Sequence, residues 1–139
     1  MTSVLDAQPL FALVAALWVA TNVTVSASQA INERRDAVLL GRSGDQALSI
    51  RHRRLIMKND WLPMTVATGI ACIVFGVLLA IAPTTLNLSP NMSWLCYVLC
   101  LVPGIGAISL LYGGAHEYRL MKEVLAAEEN VRAHPPAKQ

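Results

Sequence analysis

The sequence predicts an all-α integral membrane protein with three transmembrane helices, N-terminus outside and C-terminus inside, together with short cytoplasmic helices. Three observations predict it. Only 14% of the 139 residues are charged, where a soluble domain carries about 25%. The missing charge is concentrated: residues 62–115 carry none, and between Val4 and Asn32 Asp6 stands alone. Finally, all eleven Lys and Arg fall in two segments. One holds Arg34, Arg35, Arg42, Arg51, Arg53, Arg54 and Lys58, the other Arg119, Lys122, Arg132 and Lys138. Apolar runs of about 20 residues are long enough to cross a hydrocarbon core of about 30 Å as helices. Orientation follows the Lys and Arg of short flanking loops, which puts 33–60 and the C-terminus inside, the N-terminus and 83–93 outside. A bacterial cytoplasmic membrane is the expected location.

The first span covers about 9–32 and retains the N-terminus, because a secretory signal would open with Lys or Arg. From Thr21 onward the helix turns polar without turning charged. Asn22, Ser26, Gln29 and Glu33 recur at intervals of four, three and four, one stripe of a helix. Asn22 lies near the bilayer middle, where an unpaired amide costs several kcal/mol. The stripe therefore calls for protein or water beside it: interhelical hydrogen bonds, or the lining of a hydrated path.

Residues 33–60 form a basic inside segment. The first helix is expected to continue to Leu40, with Gly41 and Gly44 supplying the break. Asp45 is then the expected N-cap of a short helix reaching about Met57. Arg51, Arg53, Arg54 and Lys58 on this helix are expected at anionic lipid head groups, about 1 kcal/mol each. No aromatic platform interleaves them, so nucleic acid is not an expected partner.

Asn59 and Asp60 are expected to cap the second span, about 62–82, with Trp61 as an interfacial anchor. Thr65, Gly69, Cys72, Gly76 and Ala80 share one face of it. Small residues so spaced let helices approach closely, the main source of helix attraction in lipid. A turn-rich outside connection at 83–93 leads to the third span, about 94–114. There Gly104, Gly106 and Gly113 are expected to pack against a neighbour, and Pro103 interrupts the helix midway. A continued amphipathic helix is expected inside at 115–133, with Leu120, Val124, Ala127 and Val131 at helical spacing, and 134–139 is a tail.

Chemistry is missing from the pattern. No nucleophile with its base, metal cluster or phosphate-cradling loop is visible, so no catalytic, cofactor-binding or metal residues are expected. Cys72, Cys96 and Cys100 all lie in apolar runs and read as packing residues. The expected function is a non-catalytic membrane subunit, a scaffold or accessory component packing with copies of itself or with other membrane subunits. Two alternatives stand beside it. Three spans, an outside N-terminus and a charged inside tail resemble the layout of class I phage holins, which implies a conducting oligomer lined by the Asn22 stripe; the 33–60 segment is longer than the loops of that family. The other alternative is a regulator whose inside helices bind a soluble partner.

Overall fold

The computed structural model describes residues 7–134, and within them the protein is nearly all helical. The expected outside tail with Asp6 and most of the expected tail at 134–139 lie outside the described residues. Helix α1 runs Ala7–Leu40. Two-residue strands β1 (Arg42–Ser43) and β2 (Gln46–Ala47) pair antiparallel, Arg42 opposite Ala47 and Ser43 opposite Gln46. Helix α2 (Ile50–Leu55) leads through a π turn (Ile56–Trp61) into α3 (Leu62–Thr85), and α4 runs Pro90–Ala133. Three helices are long and apolar enough to cross a membrane.

Glycine ends α1 for a steric reason. Gly41 has φ +68° and Gly44 φ +57°, a region that costs an L side chain about 1–2 kcal/mol. Gly41 accepts from the Leu48 amide at 2.7 Å, closing the small hairpin. Asp45 sits in that hairpin's turn and does not cap a helix. The cap is Ser49, whose hydroxyl accepts from the His52 amide. Ser49 has the extended backbone a cap needs and lies three residues before that amide.

The expected break at Asn59 and Asp60 is absent. The chain stays helical from Ile50 to Thr85, so α2 is no separate helix. What intervenes is a widening: Leu62 donates to the Met57 carbonyl, five residues back. Pro63 follows at once, and a proline ring presses on the carbonyl four residues before it. A wider turn makes room there. It also swings Ile56, Met57 and Trp61 to the buried side together. Helix α4 passes without interruption through 115, because nothing between Gly114 and Glu117 supplies a stop. The expected inside helix at 115–133 is its last five turns.

Helices α3 and α4 form a close hairpin, joined through Leu86–Ser89, with Asn87 at φ 49° and Pro90 opening α4. Their contact is a row of small residues. A Cβ on Gly76 would lie 3.5 Å from Pro103 Cγ, and one on Gly69 would lie 2.9 Å from Leu111 Cδ2. At Gly114 a Cβ would meet Thr65 Cγ2 at 2.8 Å. Thr65, Gly69, Cys72, Leu79 and Pro83 are buried on α3; Cys96, Ala107, Met121 and Leu125 are buried on α4. Met121 and Leu125, and not Leu120, Ala127 and Val131, turn inward on the last turns of α4. The inward face is offset by one residue because it continues the row set by Ala107 and Gly114 at intervals of seven.

Helix α1 joins this hairpin at one end. Its buried residues are Ile31, Ala37 and Val38, and Ile31 and Val38 meet Ile56, Met57, Trp61, Met121 and Leu125 in one apolar cluster. Towards its start α1 is open: Phe11 is 74% and Trp18 69% exposed.

The seam makes an ordered prediction. Leu111 is long and can swing from a new methyl group at Gly69. Thr65 cannot, since it is β-branched and its hydroxyl is bonded to the Trp61 carbonyl at 2.8 Å. Gly114→Ala is expected to destabilise the detergent-solubilised protein by about 1–3 kcal/mol and Gly69→Ala by clearly less. Thermal melts of the two variants check the order.

Candidate functional site

The charged segments of the three long helices meet at one end of the bundle, and Arg53 is at their centre. Helix α1 ends with carbonyls that no further turn can satisfy. Arg53 Nε donates to the Val38 carbonyl at 2.6 Å and its NH2 to the Leu39 carbonyl at 3.2 Å. Its NH1 pairs with Glu128 on α4. One guanidinium thus holds the end of α1, the turn that begins α3 and the far turns of α4. A cation at a helix C-terminus is favoured by the helix dipole as well.

Two further pairs flank it. Arg54 bonds Glu129, and Arg35 on α1 bonds Glu117 on α4 at 3.0 Å. This changes the expectation for the basic cluster. Arg53 is 3% exposed and engaged on three sides, so it is not a head-group contact, and Arg54 is tied to a carboxylate. Arg51 and Lys58 remain exposed at the surface. The sequence reading missed Glu117, Glu128 and Glu129 as partners; the available signal was three glutamates on the inward turns of α4 matching three arginines.

Trp61 is likewise no interfacial anchor. It is wholly buried in the apolar cluster, and its indole Nε1 has no acceptor. A crevice of about 240 Å³ opens beside it, lined by Ser28 and Asn32 of α1, Ser109 and Gly113 of α4, and Glu117 at its charged end.

The polar stripe of α1 lies elsewhere. Asn22, Ser26, Gln29 and Glu33 are all exposed, on the face turned away from the hairpin. Asn22 Nδ2 donates to the Trp18 carbonyl of its own helix at 2.8 Å, which leaves the amide oxygen free. Thr21 and Thr24 satisfy their hydroxyls the same way, on the Leu17 and Ala20 carbonyls.

Of the expected packing residues, Thr65, Gly69, Cys72 and Gly76 line the α3 seam against α4. Ala80 is only half-buried, and Leu79 takes the closing position. Gly106 sits 4.0 Å from Cys72 Sγ, measured to a Cβ built on it. Gly104 and Gly113 have nothing within 4 Å of such a Cβ, so neither is a close side-on contact. Gly104 reaches the seam through its backbone nitrogen, near Gly76. Ala107 is buried on α4 and Gly114 makes the close approach, to Thr65. Among the described residues no three His, Cys, Asp or Glu side chains gather as metal ligands.

Removing the central guanidinium leaves two helix-end carbonyls and Glu128 without their partner. Arg53→Ala is expected to lower stability by about 1–3 kcal/mol, the range for leaving buried acceptors unsatisfied, since Glu128 is partly exposed and keeps its hydration. Arg51→Ala, at an exposed neighbour, is expected to change it by under about 0.5 kcal/mol. Unfolding of both variants in mixed micelles measures the difference.

Compared with protein-family models, with curated proteins and with solved structures, the chain matches none.

Proposed function

We propose that this protein is a non-catalytic subunit of a membrane assembly, and that α1 is its assembly surface. It spans a bacterial cytoplasmic membrane with the N-terminus outside and the Arg53 end inside. The observation that carries the reading is the outward stripe. Lipid can cover Phe11, Val14, Trp18 and Val23, but it offers no hydrogen bond to the free groups of Asn22 and Gln29. These amides lie on the face that this chain leaves open. An amide both donates and accepts, so it pairs with a like amide on a second copy or with a polar side chain of another subunit. The inside orientation rests on the Lys and Arg count, and the ion pairs among Arg35, Arg53, Arg54 and α4 support a common side for those segments.

A second reading rests on the same stripe. In a ring of copies, Asn22, Ser26, Gln29 and Glu33 would line a hydrated path, as the holin-like layout implies. The two readings differ in flux.

Native mass measured from membranes is expected to show a discrete assembly, either of this chain alone or with a co-purifying partner. Asn22→Leu with Gln29→Leu is expected to weaken it, since each amide contact is worth about 0.6–2 kcal/mol, or about 3- to 30-fold in the dissociation constant. A monomer without partner contradicts the assembly reading. Ion flux through liposomes that the double variant abolishes favours the path; assembly without flux favours the packing subunit.

Topology has its own check. With the native cysteines replaced, Gln46→Cys and Leu88→Cys are expected to label from opposite sides of the membrane. Labelling of both from one side contradicts the three-span orientation.

A further inference from the structure

A second groove runs between α3 and α4, with no residue of α1 in its wall. It encloses about 320 Å³ and is apolar along its length, walled by Leu62, Val66, Leu111 and Ala115, with Gly114 in its lining. One cation stands in its wall, Arg119, the first on α4 after the apolar run. Arg119 is exposed and forms no ion pair among the described residues. Of its neighbours on α4, Glu117 is engaged by Arg35, and Glu123, one turn further on and also exposed, makes no ion pair with Arg119.

We propose that this groove holds an acyl chain of an anionic phospholipid, with the lipid phosphate on Arg119. Size selects the occupant first. The volume has room for roughly ten groups the size of a water molecule, about 30 Å³ each, which suits a stretch of alkyl chain. One turn of a helix, about 10–12 Å across and about 5.4 Å long, already exceeds this volume. Location selects next: the groove begins within the uncharged stretch of both helices and ends where charge resumes, so its apolar part lies in hydrocarbon and Arg119 at the head groups. Charge selects last. A guanidinium without a carboxylate partner binds phosphate in paired hydrogen bonds, which a neutral head group with a choline cation answers poorly. The site is independent of whatever covers α1.

Trp61 lines the groove and can report its contents. Trp18 and Trp94 are exposed at 69% and 67%, so replacing both with Phe leaves Trp61 as the sole indole. This protein is placed in phosphatidylcholine vesicles containing a small fraction of lipid brominated on its chains, either phosphatidylglycerol or phosphatidylcholine. Brominated phosphatidylglycerol is expected to quench Trp61 at about fivefold lower fraction, the equivalent of about 1 kcal/mol for one cation at the surface. Arg119→Gln is expected to erase that preference, and Arg51→Gln, at an exposed cation outside the groove, to keep it. Ala115→Phe, which fills the groove, is expected to reduce quenching by both lipids, with helix content by circular dichroism unchanged. Equal quenching by the two lipids overturns the proposal, as does an equal loss of preference in Arg51→Gln, which would mark diffuse surface charge. Quenching unaffected by Ala115→Phe overturns it too, because the chain would then lie outside the groove.

Discussion

The interaction on which this structure depends is the closure of α1's last carbonyls by Arg53. A helix that stops inside a bundle leaves carbonyls unpaired, and buried carbonyls must find donors. Here one side chain supplies two of them and carries its third arm to Glu128. The consequence is geometric. Val38, the π turn and the last turns of α4 are brought into register, and the apolar cluster around Trp61, Met121 and Leu125 fills the space between them. The glycine at 41 belongs to the same arrangement. A Cβ there would stand 3.1 Å from Arg53 NH1, so the residue that frees the chain to turn also leaves the guanidinium its room.

Much of this was visible in the residues, and the rest was hidden for identifiable reasons. Long uncharged runs reveal helices able to span a bilayer because hydrocarbon tolerates nothing else. Small residues at helical spacing on α3 can be picked out for the same reason. Their exact register cannot: Leu79 and not Ala80 closes the row, and Met121 and not Leu120 turns inward, since a one-residue choice depends on the partner helix. The role of Arg53 was the least legible. Beside Arg51, Arg54 and Lys58 it looks like one of four surface cations. Its partner Glu128 lies 75 residues away, and no local pattern joins them. Trp61 misled for a related reason, as tryptophan next to a charge cluster has the composition of an interfacial anchor whether or not it is buried.

The π turn links these two failures. Asn59, Asp60 and Pro63 look like a helix start, and in a lone helix such residues would serve as one. In the bundle, continuing the helix keeps every backbone donor occupied and lets one rod carry both Arg53 and the α3 seam. The extra residue in the turn reconciles two faces that an unbroken α-helix would set apart. Burial of Ile56, Met57 and Trp61 on one side follows from that widening.

The distribution of packing then separates two tasks within one chain. The α3–α4 hairpin packs closely where Gly69, Gly76 and Gly114 meet the facing helix, and its partner is internal. Helix α1 is fastened only from Ile31 onward, by the cluster and by Arg35 and Arg53. Over its remaining turns it presents apolar side chains and, among them, amides that the hairpin does not reach. A helix serving only as an anchor would carry no such amides, since each is a cost in lipid without a partner. Their presence on the free face, and the fastening at the other end, fit the proposed role of α1 as a surface for another polypeptide or for water. Stability is thus vested in the hairpin and the charged junction, and on the proposed reading the open length of α1 is left for interaction.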